Sequence, residues 1–179
     1  MKKKKGGLSV RNLGVWLLLI LGSLGLTSDV AQLYSRAFEF AETGKKDFAF
    51  MHFNELQRDY PTSGYREKAL FAVGEYYFLI SGFQDAEKTF RSFLDEYPNS
   101  KQRLYALAYL FNMAQRNNKG DVARELEKQI VDVHRVSFVF RETKEIAYRS
   151  PLRQNYRTDI YIDHIEFYVE GKLFAKVSY

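Results

Sequence analysis

The sequence predicts a mainly α protein, an α-solenoid of about three helical hairpins with a small C-terminal β segment. Three observations point there. First, a segment recurs after 37 residues: Ala49-x-x-x-Phe53-x-x-Leu56-x-x-x-Tyr60-Pro61-Thr62-Ser63 returns as Ala86-x-x-x-Phe90-x-x-Phe93-x-x-x-Tyr97-Pro98-Asn99-Ser100, each followed by Ala-Leu at Ala69-Leu70 and Ala106-Leu107. A period of this length belongs to stacked helical hairpins, which bury their apolar faces only against their neighbours. Second, apolar residues recur three and four apart, as in Ala69, Val73, Tyr76 and Tyr77 or Ala86, Phe90, Phe93 and Tyr97. Third, beyond Arg135 the apolar spacing falls to two, the period of a strand.

The chain opens on Lys2 to Lys5 and Arg11, followed by an uncharged run from Asn12 to Ser28. Basic then greasy is the grammar of a secretory signal. The run reaches about 26 Å as a helix, slightly short of a ~30 Å hydrocarbon core, so a cleaved signal and a retained anchor both fit residues 1–28. That leader holds five basic residues and no acid, which leaves 22 basic residues to meet 22 acidic ones in the body. The basic whole-chain balance is therefore a property of the leader and not of a nucleic-acid-binding surface. The absence of cysteine excludes disulfides, thiolate metal sites, a cysteine nucleophile and lipid attachment through a cysteine.

Residues 29–134 read as three helix pairs, at about 31–43, 47–59, 66–81, 83–96, 101–117 and 120–134. Gly44 and Gly82 stand where a helix ends and a left-handed residue is favoured. Asp47 and Asp85 stand near the next N-terminus. Pro61 and Pro98 stop the second helix of a pair, and Ser63 and Ser100 can cap the following one. Residues 135–179 form the β-rich segment, with strands expected at 136–140, 159–162, 165–169 and 172–177. Glu170-Gly171 is a hairpin turn. A two-residue loop sets Val169 opposite Lys172. A three-residue loop aligns Ile165, Phe167 and Val169 with Val177, Ala175 and Leu173 and joins Glu166 to Lys176, which makes it the preferred register.

At these residues the chain resembles the tetratricopeptide repeat family. The second unit carries its pattern in Leu70, Val73-Gly74, Tyr77, Ala86, Phe90 and Pro98. The first carries Leu33, Phe40, Ala49, Phe53 and Pro61, with Arg36-Ala37 in place of Leu-Gly. The third retains Leu107, Leu110 and Ala123 but has Phe111 at the glycine position and Glu127 at the phenylalanine position. The Tyr-Pro-x-Ser ending resembles the envelope branch, the BamD- and CpoB-type repeat proteins. The resemblance implies partner binding rather than catalysis. In such a stack the first helix of each pair lines the concave side, so Tyr34, Phe38, Phe71, Glu75, Phe78, Tyr105 and Asn112 become the expected partner-binding groove. Core packing is the other reading of its rings.

Chemistry is sparse. His52, His134 and His164 have no helical metal spacing. Asp163-His164 lacks a serine elbow or glycine-rich loop, and Gly6-Gly7 lies in the leader, where it cannot form a phosphate loop. Glu55, Asp59, Asp95 and Glu96 read as a solvated face. Arg141, Lys144, Arg149, Arg153 and Arg157 make a mild basic patch, suited to loop solubility or to an anionic headgroup or acidic partner. The expectation is a non-enzymatic adaptor or scaffold of the bacterial cell envelope. It takes no cofactor, metal, nucleic acid or small-molecule substrate, is periplasmic or anchored in the inner membrane facing the periplasm, and binds a protein or peptide partner. The alternative is a structural subunit of an envelope assembly or secretion machine whose β tail pairs with a neighbour.

Overall fold

The computed structural model describes residues 29–138 and 145–178. The leader and residues 139–144 lie outside that range. Six helices run in three antiparallel pairs: α1 at 29–42, α2 Lys46–Asp59, α3 Arg66–Leu79, α4 Phe83–Glu96, α5 Arg103–Arg116 and α6 Gly120–Phe138. Four strands follow, β1 Glu145–Arg149, β2 Asn155–Ile160, β3 His164–Val169 and β4 Lys172–Ser178, paired in that order as one antiparallel meander.

The sequence repeat is also a repeat of backbone dihedrals. Tyr60 and Tyr97, the residues after α2 and α4, have φ/ψ of −126°/64° and −127°/61°. Each donates its N–H four residues back, to Leu56 and Phe93. Gly44, Ser81 and Asn118, spaced by the same 37 residues, all take positive φ, at 75°, 64° and 54°. The next N–H then reaches back to the carbonyl of Phe40, Tyr77 and Ala114, closing each hairpin with the Schellman pattern. This corrects the expectation for Gly82. The left-handed residue is Ser81, and Gly82 follows it at φ −75° as the residue preceding α4. Ser63 and Ser100 do act just ahead of α3 and α5, accepting the N–H of Tyr65 and Gln102 at 3.1 and 3.0 Å.

The glycine of the motif is a packing requirement. A Cβ on Gly74 would stand 2.8 Å from Cε1 of Phe90, whose ring is fully buried and stacked 4.6 Å from Tyr109. The equivalent pairing in the first hairpin is Ala37 with Phe53. In the third the ring has moved to the other helix, with Phe111 buried on α5 and Glu127 half-buried on α6. Phe111 joins the core of the third hairpin, which packs although its sequence pattern is degenerate.

Three further expectations change. Residues 136–138, read as a strand, continue α6. The first strand of the sheet is instead 145–149, and the second begins at Asn155 rather than 159. Glu96 is not merely solvated. It pairs with Arg66, whose guanidinium also donates to the Gln57 carbonyl at 2.9 Å and to Tyr97 Oη at 3.1 Å, tying the first repeat to the second. In the last hairpin both registers coexist. Ile165, Glu166 and Phe167 face Val177, Lys176 and Ala175 as the three-residue loop requires. A bulge at Phe167/Tyr168 then shifts the pairing, so that Tyr168 faces Leu173 and Val169 faces Lys172. Glu170 and Gly171, at φ 50° and 73°, make the two-residue turn that the bulge accommodates.

Gly74→Ala tests the packing account, because two effects oppose each other. Better helix propensity favours alanine by about 1 kcal/mol. Overpacking against Phe90 opposes it by about 1–3 kcal/mol. Net destabilisation is expected in chemical denaturation. In a Phe90→Ala background, itself lower by about 3–5 kcal/mol, the same Gly74→Ala change should become neutral or stabilising.

Candidate partner-binding face

Residues of α3 and α5, the first helices of the second and third pairs, pack against the chain's own sheet. Phe71 of α3 lies edge-on to Tyr148 and Tyr156 of the sheet, at 6.4 Å from each. Phe78 meets Phe174 at 5.4 Å. Tyr105 of α5 stacks on Tyr148 at 5.2 Å and packs on Tyr156 at 4.7 Å. Asn112 donates through Nδ2 to the Phe174 carbonyl at 2.6 Å. The β1–β2 turn reaches farther, inserting fully buried Leu152 into the core of the first repeat. Strand alternation sorts the sheet. Tyr156, Thr158, Ile165, Phe167, Ala175 and Val177 point in and are buried, while Arg157, Glu166 and Lys176 point out.

At the centre of this contact is a buried polar relay. Tyr109 Oη lies 2.7 Å from Tyr156 Oη, and Tyr156 donates to Oε1 of Glu75, so Tyr109 is the donor to Tyr156. Glu75 is wholly buried. Among the described residues no cation touches it, Lys46 acts only at a distance, and Oε2 makes no hydrogen bond of good geometry, the Ser150 hydroxyl lending weak support. Burial therefore dominates and pushes the carboxyl up to about 8, so that it is neutral at pH 7. Burial also drives both tyrosine hydroxyls well above their ordinary range, with the nearby Glu75 adding to the effect.

Of the seven expected groove residues, Phe71, Glu75, Phe78, Tyr105 and Asn112 thus serve the sheet, and the physical reason is that intramolecular strands of matching aromatic character fill the space. Tyr34 and Phe38 do not. They stack at 6.5 Å and line an open cleft of about 730 Å³ between the repeats and the β1–β2 turn. Its remaining walls include Lys68, Tyr97, Lys101, Tyr148, Arg149 and Arg153. The seat residues Tyr109, Tyr148 and Tyr156 escaped the sequence reading. The signal for the last two was present as the alternation Ile146, Tyr148 and Tyr156, Thr158, Ile160 around Ser150-Pro151.

His52 stacks on Phe40 at 5.5 Å, and His164 Nδ1 lies 2.6 Å from Asp163 at a solvent-facing strand start. Among the described residues no group of three or more acidic or histidine side chains is placed to hold a metal.

The model of a family of outer membrane lipoproteins, YfiO, matches residues 27–161, about three quarters of the chain, and the protein belongs to that family. It is an envelope family of BamD-type, tetratricopeptide-like scaffolds. No curated protein matches the chain. Its 179 residues hold no cysteine, so they offer no thiol for the lipid in the family's description.

The Glu75 relay gives a pH signature. The native carboxyl keeps its proton up to about pH 8, whereas an unfolded glutamate releases it near 4.5. The native state binds the extra proton between those values, so this group's contribution to stability falls as pH rises through that window. Glu75→Gln should remove that fall. Thermal melts across pH 5–8.5 should show the variant gaining on the wild type with increasing pH, by a few kcal/mol at most. Parallel curves would contradict a neutral buried Glu75.

Proposed function

We propose that this protein is a non-enzymatic adaptor of the bacterial cell envelope, exported by its basic-apolar leader and working on the periplasmic side of the inner membrane or beyond it. It holds a partner protein at the end of the concave face that its own sheet leaves open. Membership in an outer membrane lipoprotein family supports the compartment and the scaffold role. The observation that carries the binding site is the half-buried ring pair Tyr34–Phe38 facing an open cleft, while Phe71 of the second repeat and Tyr105 of the third pack against the sheet. Aromatic rings in a pocket are the usual anchors of such contacts.

A photo-crosslinking residue in place of Tyr34, in intact cells, should capture an envelope protein. Tyr34→Ala with Phe38→Ala should weaken that capture about tenfold or more, about 1.4 kcal/mol. Recovery of no envelope protein would refute the adaptor role. A melting curve of the double variant controls for Tyr34's contacts with Phe53 and Tyr65.

A second reading, a subunit of an envelope assembly, draws on the outer edge of β1. That strand is terminal in the sheet, and Ile146 is partly exposed beside Ala147 with no charge between Glu145 and Arg149. An unguarded edge can pair with another strand. Ile146→Lys should then abolish complex formation in native gels without altering the melting point. Unchanged complexes would set this reading aside.

A further inference from the structure

The open cleft carries an excess of cations. Lys68, Lys101, Arg149 and Arg153 line it against the carboxylates of Glu67 and Glu96. Both carboxylates are engaged, Glu96 with Arg66 and Glu67 with the Ser100 hydroxyl at 2.6 Å. Arg153 is held by Glu42 at 2.5 Å and lies 5.0 Å over the Phe38 ring, and Lys68 stands 5.9 Å over Tyr34. Lys101 and Arg149 enter no ion pair among the described residues, and both are exposed. Two buried atoms on the same walls lack hydrogen-bond partners, the donor Nε of Arg153 and the acceptor Oε1 of Gln102. Apolar rings at Tyr34, Phe38, Tyr97 and Tyr148 complete the lining.

We infer that this cleft binds an extended acidic segment of a partner protein, with an apolar or aromatic side chain against Tyr34 and Phe38 and flanking carboxylates toward Lys101 and Arg149. The inference rests on the adaptor reading and names the chemistry of its partner. Charge complementarity selects an acidic occupant: Glu96 is paired with Arg66 and Arg153 with Glu42, which leaves Lys68, Lys101 and Arg149 facing the single carboxylate of Glu67. The volume of about 730 Å³ falls in the ~300–1,000 Å³ range of built binding sites. Ring walls between two free cations suit a chain that alternates apolar and acidic residues better than a small anion, which would use the cations alone. A lipid surface fits less well. Among the described residues two of the sheet's cations, Arg157 and Lys176, are paired with Asp159 at 3.1 Å and Glu166 at 3.4 Å, so they are not free to gather anionic headgroups.

The test uses the full chain in mild detergent with a fluorescein-labelled peptide alternating glutamate and phenylalanine, acetylated and amidated so that no terminal charge contributes. A matched peptide carries lysine for glutamate, and phosphatidylglycerol vesicles form a third arm. Fluorescence anisotropy should show the acidic peptide binding at least tenfold tighter than the basic one, with affinity falling as salt rises. Lys101→Glu with Arg149→Glu should weaken it at least tenfold while circular dichroism and the melting point stay unchanged. If that variant misfolds, Lys101→Met with Arg149→Met takes its place and should weaken binding in the same direction. Equal binding of the two peptides, insensitivity to both variants, or charge-dependent binding of vesicles without the peptide would overturn the inference. Crosslinking from position 34 separates the two levels. Partner capture that survives charge reversal removes only the acidic specificity, whereas no capture by the wild type removes the adaptor reading itself.

Discussion

A stack of helical hairpins buries its apolar residues between neighbouring repeats but leaves its concave face open, and in this chain that face is too aromatic to stay wet. Phe71, Phe78, Tyr105 and Tyr109 together present several large rings to one side. Burying such surface is worth roughly 25 cal/mol per Å², and each ring offers on the order of 150–250 Å². Covering it is therefore the dominant requirement of the fold, and the C-terminal sheet answers it with Tyr148, Tyr156, Phe167 and Phe174. The four strands in turn depend on the helices, because a small meander with one apolar face is marginal without something to pack against.

Apolar burial alone does not fix how a sheet sits on a helical face. The polar contacts do. Tyr109, Tyr156 and Glu75 form a relay across the interface, Gln102 reaches Tyr148, and Asn112 holds the Phe174 carbonyl. Phe174 is the residue that the bulge in β4 sets aside from the ladder, so the irregularity of the hairpin and the anchoring of the sheet are one feature. A sheet shifted along the groove would leave Glu75 and these hydroxyls without partners in a dry interior, at roughly 1–3 kcal/mol for each group. Keeping Glu75 neutral lets the relay exist without a counter-ion, since burying an unpaired carboxylate is far more expensive than burying its acid form.

The same arrangement divides the concave face by use. The second and third repeats are occupied by the sheet, and the first receives Leu152 of the β1–β2 turn in its core. That turn passes over α1 without filling the space beside Tyr34 and Phe38, leaving a cleft with rings inside and cations on its walls. The tail covers part of the concave face, and the open remainder acquires walls that helices alone would not supply, among them Tyr148, Arg149 and Arg153.

The sequence by itself determined the helical architecture. A 37-residue repeat, helical apolar spacing and Tyr-Pro-x-Ser stops are local signals, and each acts through contacts within a hairpin or between adjacent ones. Even the degenerate third unit packs as a helical hairpin, with Phe111 buried in its core. The last hairpin was legible too, though two registers competed and only the bulge reconciled them. The occupant of the concave face was not legible. Whether Phe71, Phe78 and Tyr105 meet solvent, a partner or the chain's own tail depends on contacts between residues some 80 positions apart, such as Glu75 with Tyr156, separated by 81. No local pattern encodes that distance. Alternation can mark Tyr148 and Tyr156 as facing one side of a strand, but what lies on that side is settled only when the sheet packs. Tertiary structure alone therefore decided which part of the groove is closed and which part, at Tyr34 and Phe38, remains available.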